Sequence, residues 1–222
     1  MDNPIRAVTR TKKEAKANYD RLSGWYDWLV GASEKKYRNL GLQALAAREG
    51  EQILEIGCGT GHAIVSLAQA VGPDGHVYGL DISAGMAAVT QERVQEAGLA
   101  ERVSLQVGDG AQLPFSHGRF DALFMSFTLE LFDTPEIPLV LEQIHAALRP
   151  NGRIVVVSMV KEPKTAVRVY EWFHDRLPVL VDCRPIYAHT ELEKAGFTIQ
   201  SQSRLSMWGL PVAIIVARRD EV

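Results

Sequence analysis

Three acids and three glycines carry the chemistry that can be read directly from this chain. Glu55, Asp81 and Asp109 follow one another at intervals of 26 and 28 residues. Gly57, Gly59 and Gly61 alternate just after the first acid, in Glu55-Ile56-Gly57-Cys58-Gly59-Thr60-Gly61. Glycines so close behind the apolar run Ile53-Leu54 let a strand stop, turn sharply and enter a helix, because they adopt backbone angles that a side chain forbids. The amides of such a turn face a ligand with positive partial charge. A dinucleotide fingerprint requires Gly or Ala three residues after its second glycine. That position is His62, so the match fails. Glu55 at the strand end would repel a pyrophosphate and suits an ammonium group. Asp81, twenty residues after Gly61, stands where a βαβ unit places a ribose-binding acid, with two oxygens for two hydroxyls.

The pattern acid-x-Gly-x-Gly-x-Gly resembles motif I of the class I S-adenosylmethionine (SAM)-dependent methyltransferases. SAM has an ammonium and a sulfonium and no phosphate. Leu148-Arg149-Pro150-Asn151-Gly152, ahead of the strand Ile154–Val157, is similar to a second feature of that family. The resemblance is strong over about residues 50 to 160 and general in the flanks. It implies an α/β fold: a doubly wound, seven-stranded, mostly parallel Rossmann-like sheet with an N-terminal helical lid. It also implies SAM as cofactor and S-adenosylhomocysteine as product. Carried over residue by residue, it gives Glu55, Gly57, Cys58, Gly59 and Gly61 in the turn. Asp81 falls on the ribose, with Ile82 and Met86 beside the adenine. Asp109 accepts from the adenine amino group, Gly110 and Ala111 lie along the ring, and Ser126 lies at the crevice. Tyr19-Asp20-Arg21-Leu22-Ser23-Gly24-Trp25-Tyr26 resembles the lid of the ubiquinone/menaquinone-biosynthesis and phospholipid N-methyltransferase types, which makes Tyr19 and Tyr26 lid contacts.

The elements that position these residues follow from periodicity and punctuation. A polar, basic helix is expected over Arg10–Arg21 and a second over Ser33–Arg48, closed by Gly50. Helices are expected over His62–Ala70 and from Ala84 to Ala97, the latter capped by Ser83. Short strands fall at His76–Leu80, Val103–Val107 and Arg119–Met125. Thr134, with Pro135 next, reads as the cap of a helix running to Leu148. Lys164–Arg176 reads as a helix in an acceptor-side insertion, and Thr190-x-x-Glu193 as a capping box. Phe197–Leu205 and Val212–Ala217 close as a strand pair. The resulting division is a tail and lid over 1–49 and a SAM-binding domain over 50–222, with the insertion at about 161–189.

The 222 residues suffice for one α/β domain with additions. A net charge of -3 gives no global attraction to nucleic acid. The Asn/Asp-Pro-Pro-aromatic signature of many base methyltransferases is absent after the fourth strand. Cys58 and Cys183 form no CxxC pair and the six histidines have no ligand spacing, so neither disulfide nor metal is expected. The reading is cytoplasmic. A peripheral membrane contact is suggested by Lys12, Lys13, Lys16 and Arg21 ahead of Trp25, Trp28, Leu29 and Val30. Phe127 and Glu130 are expected in the acceptor pocket. Glu130, His174, Asp182 and His189 are candidate bases, none of them assured. The expected activity is methyl transfer to a small amphipathic acceptor, either a quinol-type ring or a lipid or amine head group. A small soluble metabolite, or a non-catalytic SAM-binding role, stays open, as does the oligomeric state.

Overall fold

The computed structural model describes residues 5, 11–22, 32–176 and 183–220. Trp25, Tyr26, Trp28 and Asp182 therefore lie outside the described residues. Seven strands form one sheet in the order β3-β2-β1-β4-β5-β7-β6. They are β1 (Gln52–Ile56), β2 (His76–Asp81), β3 (Val103–Val107), β4 (Phe120–Ser126), β5 (Leu148–Met159), β6 (Phe197–Met207) and β7 (Leu210–Arg219). The first five strands are parallel, and β7 pairs antiparallel with both β5 and β6. Strand order reverses between β1 and β4, which opens a crevice beyond their C-terminal ends.

Helices α1 (Lys12–Leu22), α2 (Ala32–Leu45), α3 (His62–Ala70), α4 (Ala84–Glu96), α5 (Ile137–Ala147), α6 (Thr165–Arg176) and α7 (Ala188–Lys194) complete the chain. The central strands are buried on both faces, as a parallel sheet between helices demands. One face packs under α5 and α7 through Phe120, Leu141, Ile144 and Leu192. The other packs under α2 and α3 through Leu45, Ile64, Leu67 and Phe124. Helix α2 lies so close that a Cβ on Gly41 would come within 2.5 Å of Val157 Cγ2 and 3.0 Å of Phe124 Cε2. Arg153 fastens the end of this helix. Its guanidinium donates to Leu45 O (2.6 Å) and Ala46 O (3.0 Å) and to both Glu51 carboxylate oxygens at 2.8 Å.

Several local expectations change. Thr134 is not a helix cap: α5 starts at Ile137 with Pro138 in its first turn, and the Thr134 hydroxyl instead accepts from Arg184 Nη1 at 2.7 Å. Thr190 is no capping box either, because α7 begins two residues earlier and Tyr187 precedes it without a side-chain cap. Ser83 does cap α4, its hydroxyl accepting from Met86 N at 3.0 Å. The final hairpin is longer than its apolar core suggests. Its two-residue turn, Trp208-Gly209, has φ of 51° and 84°, the positive pair of a type I′ turn.

A cofactor cavity at the strand-order reversal

The glycine turn rises from β1 into α3 as its spacing implies. Gly57 has φ 74°, and a Cβ there would meet Thr128 Oγ1 at 2.4 Å, so only glycine lets this loop pass the end of β4. The loop is stapled sideways. Thr90 Oγ1 donates to Gly59 O at 2.7 Å, and Gly59 N donates to Asp81 Oδ2 at 2.8 Å.

A cavity of about 570 Å³ opens beside this turn. Of the residues singled out in the sequence, Tyr19, Gly57, Gly59, Asp81, Ile82, Met86, Asp109, Gly110, Ser126 and Phe127 line it. Glu55, Cys58, Gly61 and Ala111 stand behind the wall. Gly61 precedes α3 with φ 83° and Thr90 against it, while Cys58 is buried under the loop. Phe127 holds φ 53°, the left-handed region that an aromatic residue occupies only at some cost.

Electrostatics divide the cavity. Asp81 is 8% exposed, and burial pushes its carboxyl up, opposed by the amides of Ser83 and Gly59. Its Oδ1 accepts from Ser83 N at 2.9 Å, and the Ile82 amide adds to the bonds that favour the ionised form. Glu55 is 3% exposed with Oε2 unpartnered. Burial raises its carboxyl well above the usual range, the Arg38 charge opposes that, and Asp81 adds to it. An arriving ammonium would stabilise the ionised form. Across the cavity, Asp109 Oδ1 accepts from Ala111 N at 2.9 Å. Gln143 holds the same loop, accepting from Leu113 N at 2.7 Å.

The sequence reading missed the part that three residues play in shaping this site. Lys12, on the first turn of α1, reaches across to Asp109 Oδ2 (2.6 Å) and Glu136 Oε1 (2.5 Å), and all three line the cavity. Burial lowers the Lys12 pKa, but these two acids outweigh it and the net shift is upward. Asp20 docks the other end of α1, accepting at Oδ1 from Ser83 Oγ (2.6 Å) and Gly85 N (3.0 Å). Those bonds, with Lys16 beside it, hold the Asp20 carboxyl at about 2. Arg184, 1% exposed, donates to Glu130 O at 3.2 Å, to Phe132 O and to Thr134 Oγ1. It thereby fixes the wall that carries Leu131, Phe132 and Asp133. A lysine in a basic helix and an arginine in an irregular link carry no local signal for such contacts, which join residues fifty or more apart in the chain.

The candidate bases fare differently. Glu130 sits on the short 3₁₀ turn Leu129–Leu131, between wall residues Thr128 and Leu131, but it is fully buried and outside the lining. Its Oε1 accepts from Met159 N at 3.1 Å and its Oε2 has no partner. Burial drives its pKa up to about 8, with Glu34 adding and Arg184 opposing. His174 is buried on the inner side of α6, away from the lining. His189 lies on α7 and bonds Gln202 of β6 at 2.7 Å. That strand is four interstrand spacings from β1, roughly 19 Å. It is badly placed for chemistry at this cavity.

The comparisons agree with this geometry. A family model described as a methyltransferase domain matches residues 53–152. A demethylmenaquinone methyltransferase of Geobacillus kaustophilus is 31% identical over 169 residues, 76% of this chain and 70% of that protein. A nocamycin O-methyltransferase of Saccharothrix syringae is 36% identical over 145 residues, 65% of this chain and 51% of that protein. The crystal structure of the [4+2]-cyclase SpnF matches with a TM-score of 0.79 at 18% identity, covering 99% of this chain and all of that one. The chain belongs to the class I SAM-dependent methyltransferases. It is an enzyme that uses SAM as its cofactor.

Proposed function

We propose that this methyltransferase acts on a quinol-type ring bearing an apolar tail. The carrying observation is the similarity to the demethylmenaquinone methyltransferase over 70% of that protein's length. When bound, SAM supplies an electrophilic methyl group on its sulfonium. The chain's residues then bind and orient. Asp81 receives the ribose hydroxyls, Asp109 the adenine amino group, and Glu55 lends negative charge to the ammonium from behind the glycine turn. The orphaned Glu55 Oε2 and the glycine cradle at Gly57 support that fit. In-line attack needs mainly proximity and exclusion of water. Helix α1 is the lid, docked by Asp20 and latched by Lys12, whereas α2 belongs with the sheet because Tyr37 and Leu45 are buried in its core. The acceptor side extends over the insertion at about 161–189, where α6 follows β5 and packs on β7. Glu130 supports the wall from behind.

The nocamycin relative favours a second reading, O-methylation of a soluble ring hydroxyl. Purified protein given labelled SAM, short-tailed and long-tailed demethylmenaquinols, and a panel of soluble phenols separates the two. Label on a ring carbon of the quinols, confirmed by mass spectrometry, is the expected result. Label confined to oxygen atoms of the soluble phenols would overturn the quinol reading.

A further inference from the structure

Among the described residues, five large apolar side chains are well exposed, and three of them belong to one corner of the molecule. Trp208 is 82% exposed at the tip of the β6–β7 hairpin, and Val169 and Trp172 are 50% and 47% exposed on α6. The topology brings these together. Strand β7 runs antiparallel to β5, and Val160 N, just past β5, donates to Pro211 O at 2.8 Å. The hairpin tip therefore projects from the edge of the sheet onto which the cofactor cavity opens. Helix α6 follows β5 at that same edge. Its Glu171 is paired with Lys161, and its Tyr170 packs on the core face that also holds Tyr37 and Met207. The start of α2 joins them, since Tyr37 donates to Ser206 O at 2.7 Å.

Two features of this corner run against the economy of a water-facing surface. Helix α6 buries Glu171 and His174 beside Val167, yet leaves Val169 and Trp172 facing solvent. The hairpin places a tryptophan at φ 51°, in a turn position that favours Asn, Asp or Gly. Neither intramolecular packing nor turn chemistry explains that tryptophan. Cations surround the patch. Lys35 and Lys36 are exposed at the start of α2 and Arg168 is exposed on α6. Lys164 and Arg204 share Glu162, which leaves one net positive charge there. Glu34 at the start of α2 offsets one of these charges, and the positive excess that remains among the described residues stands out in a chain whose net charge is -3.

We propose that this corner, with Trp208, Trp172 and Val169 at its centre and Lys35, Lys36, Arg168 and Arg204 at its rim, docks on an anionic lipid surface. Tryptophan favours the interfacial zone of a bilayer, and each rim cation adds attraction to anionic head groups that decays within a Debye length. The purpose of the surface rests on the quinol reading, because a tailed acceptor would then be met beside the cavity edge. Its measurement does not. The basic face of α1 is a poorer candidate, since Lys12 and Lys16 are already engaged with Asp109, Glu136 and Asp20.

Flotation of the purified protein with phosphatidylcholine vesicles, with and without about 30% phosphatidylglycerol, tests this without any acceptor. Binding to the anionic vesicles is expected at low salt and is lost in about 0.5 M salt. Arg168→Glu with Arg204→Glu should weaken it by about thirtyfold or more. Trp208→Ser with Trp172→Ser should weaken it comparably. All four substitutions lie at the surface and outside the cofactor cavity, so melting temperature and SAM affinity should stay at wild-type values. Equal flotation of wild type and variants, or binding indifferent to anionic content, would overturn the proposal. So would a wild-type dimer that the tryptophan variants dissolve, because the patch would then serve a second copy of the chain. Failure of methyl transfer to quinols alongside normal flotation would sink the quinol reading and leave the lipid surface standing.

Discussion

Lys12 and Glu130 show how a single side chain can be placed near this chemistry without performing it. Lys12 bonds the oxygen of Asp109 that would otherwise be open to the adenine amino group. The pair is about a third exposed, and such ion pairs contribute roughly 0–1 kcal/mol. Lys12→Met should therefore tighten SAM binding by no more than about fivefold, as calorimetry would show, and the difference should shrink in salt. A tenfold weakening would make Lys12 a cofactor contact instead. Glu130 differs because it is fully buried. Its folded pKa of about 8 lies above the ordinary 4.5, so between those values the folded state binds a proton that the unfolded state releases. Stability then falls as pH rises through this window, and the penalty is complete above about pH 8. Glu130→Gln keeps an acceptor for Met159 N and removes the penalty. Its melting temperature should exceed wild type at pH 8.5 and approach it at pH 5. Turnover should stay within about threefold, since loss of a true general base costs roughly a hundredfold or more. A hundredfold loss would restore Glu130 as the base.

At the scale of elements, helix α2 depends on one missing side chain. Gly41→Val would drive a branched group into Val157 and Phe124, both fixed in the sheet. Overpacking of this kind costs about 1–3 kcal/mol, and a denaturant titration should show a lower midpoint at unchanged slope. The same element marks the limit of sequence legibility. The glycine turn, α3, β3 and the Ser83 cap were readable because each is set by neighbours within a few residues. Thr134 and Thr190 misled because a cap depends on where the backbone enters the helix, and here the Arg184 guanidinium claims Thr134. The cavity floor was legible for a similar reason: strand ends and glycines place Asp81, Asp109 and Ser126 directly. Its roof was not, because Lys12, Asp20 and Arg184 act across the chain through contacts that no periodicity encodes.

Across the whole molecule, the cavity and the fold share residues, so cofactor binding and stability must be linked. Asp81 joins Gly59 of the glycine loop to Ser83 at the start of α4, and Asp20 docks α1 onto that same Ser83. Alanine at position 81 would strand the amides of Gly59 and Ser83 as well as remove the proposed ribose acceptor, confounding the two effects. Asp81→Asn retains one acceptor and isolates the charge more cleanly. SAM at about one hundred times its Kd should stabilise the wild type by about 2.7 kcal/mol. For a chain of this length that is a rise of about 5–10 °C in melting temperature. Loss of charge-assisted bonds worth about 1.5–3 kcal/mol would cut the ratio of SAM to Kd to about 1–10. The remaining stabilisation is then about 0.4–1.4 kcal/mol, so thermal scans of Asp81→Asn at the same SAM concentration should show half the wild-type shift or less. NAD should shift neither protein, because the turn has His62 where a dinucleotide fingerprint needs glycine or alanine. An undiminished SAM shift in Asp81→Asn would remove Asp81 from the ribose, and a shift with NAD would undo the case built on the glycine turn.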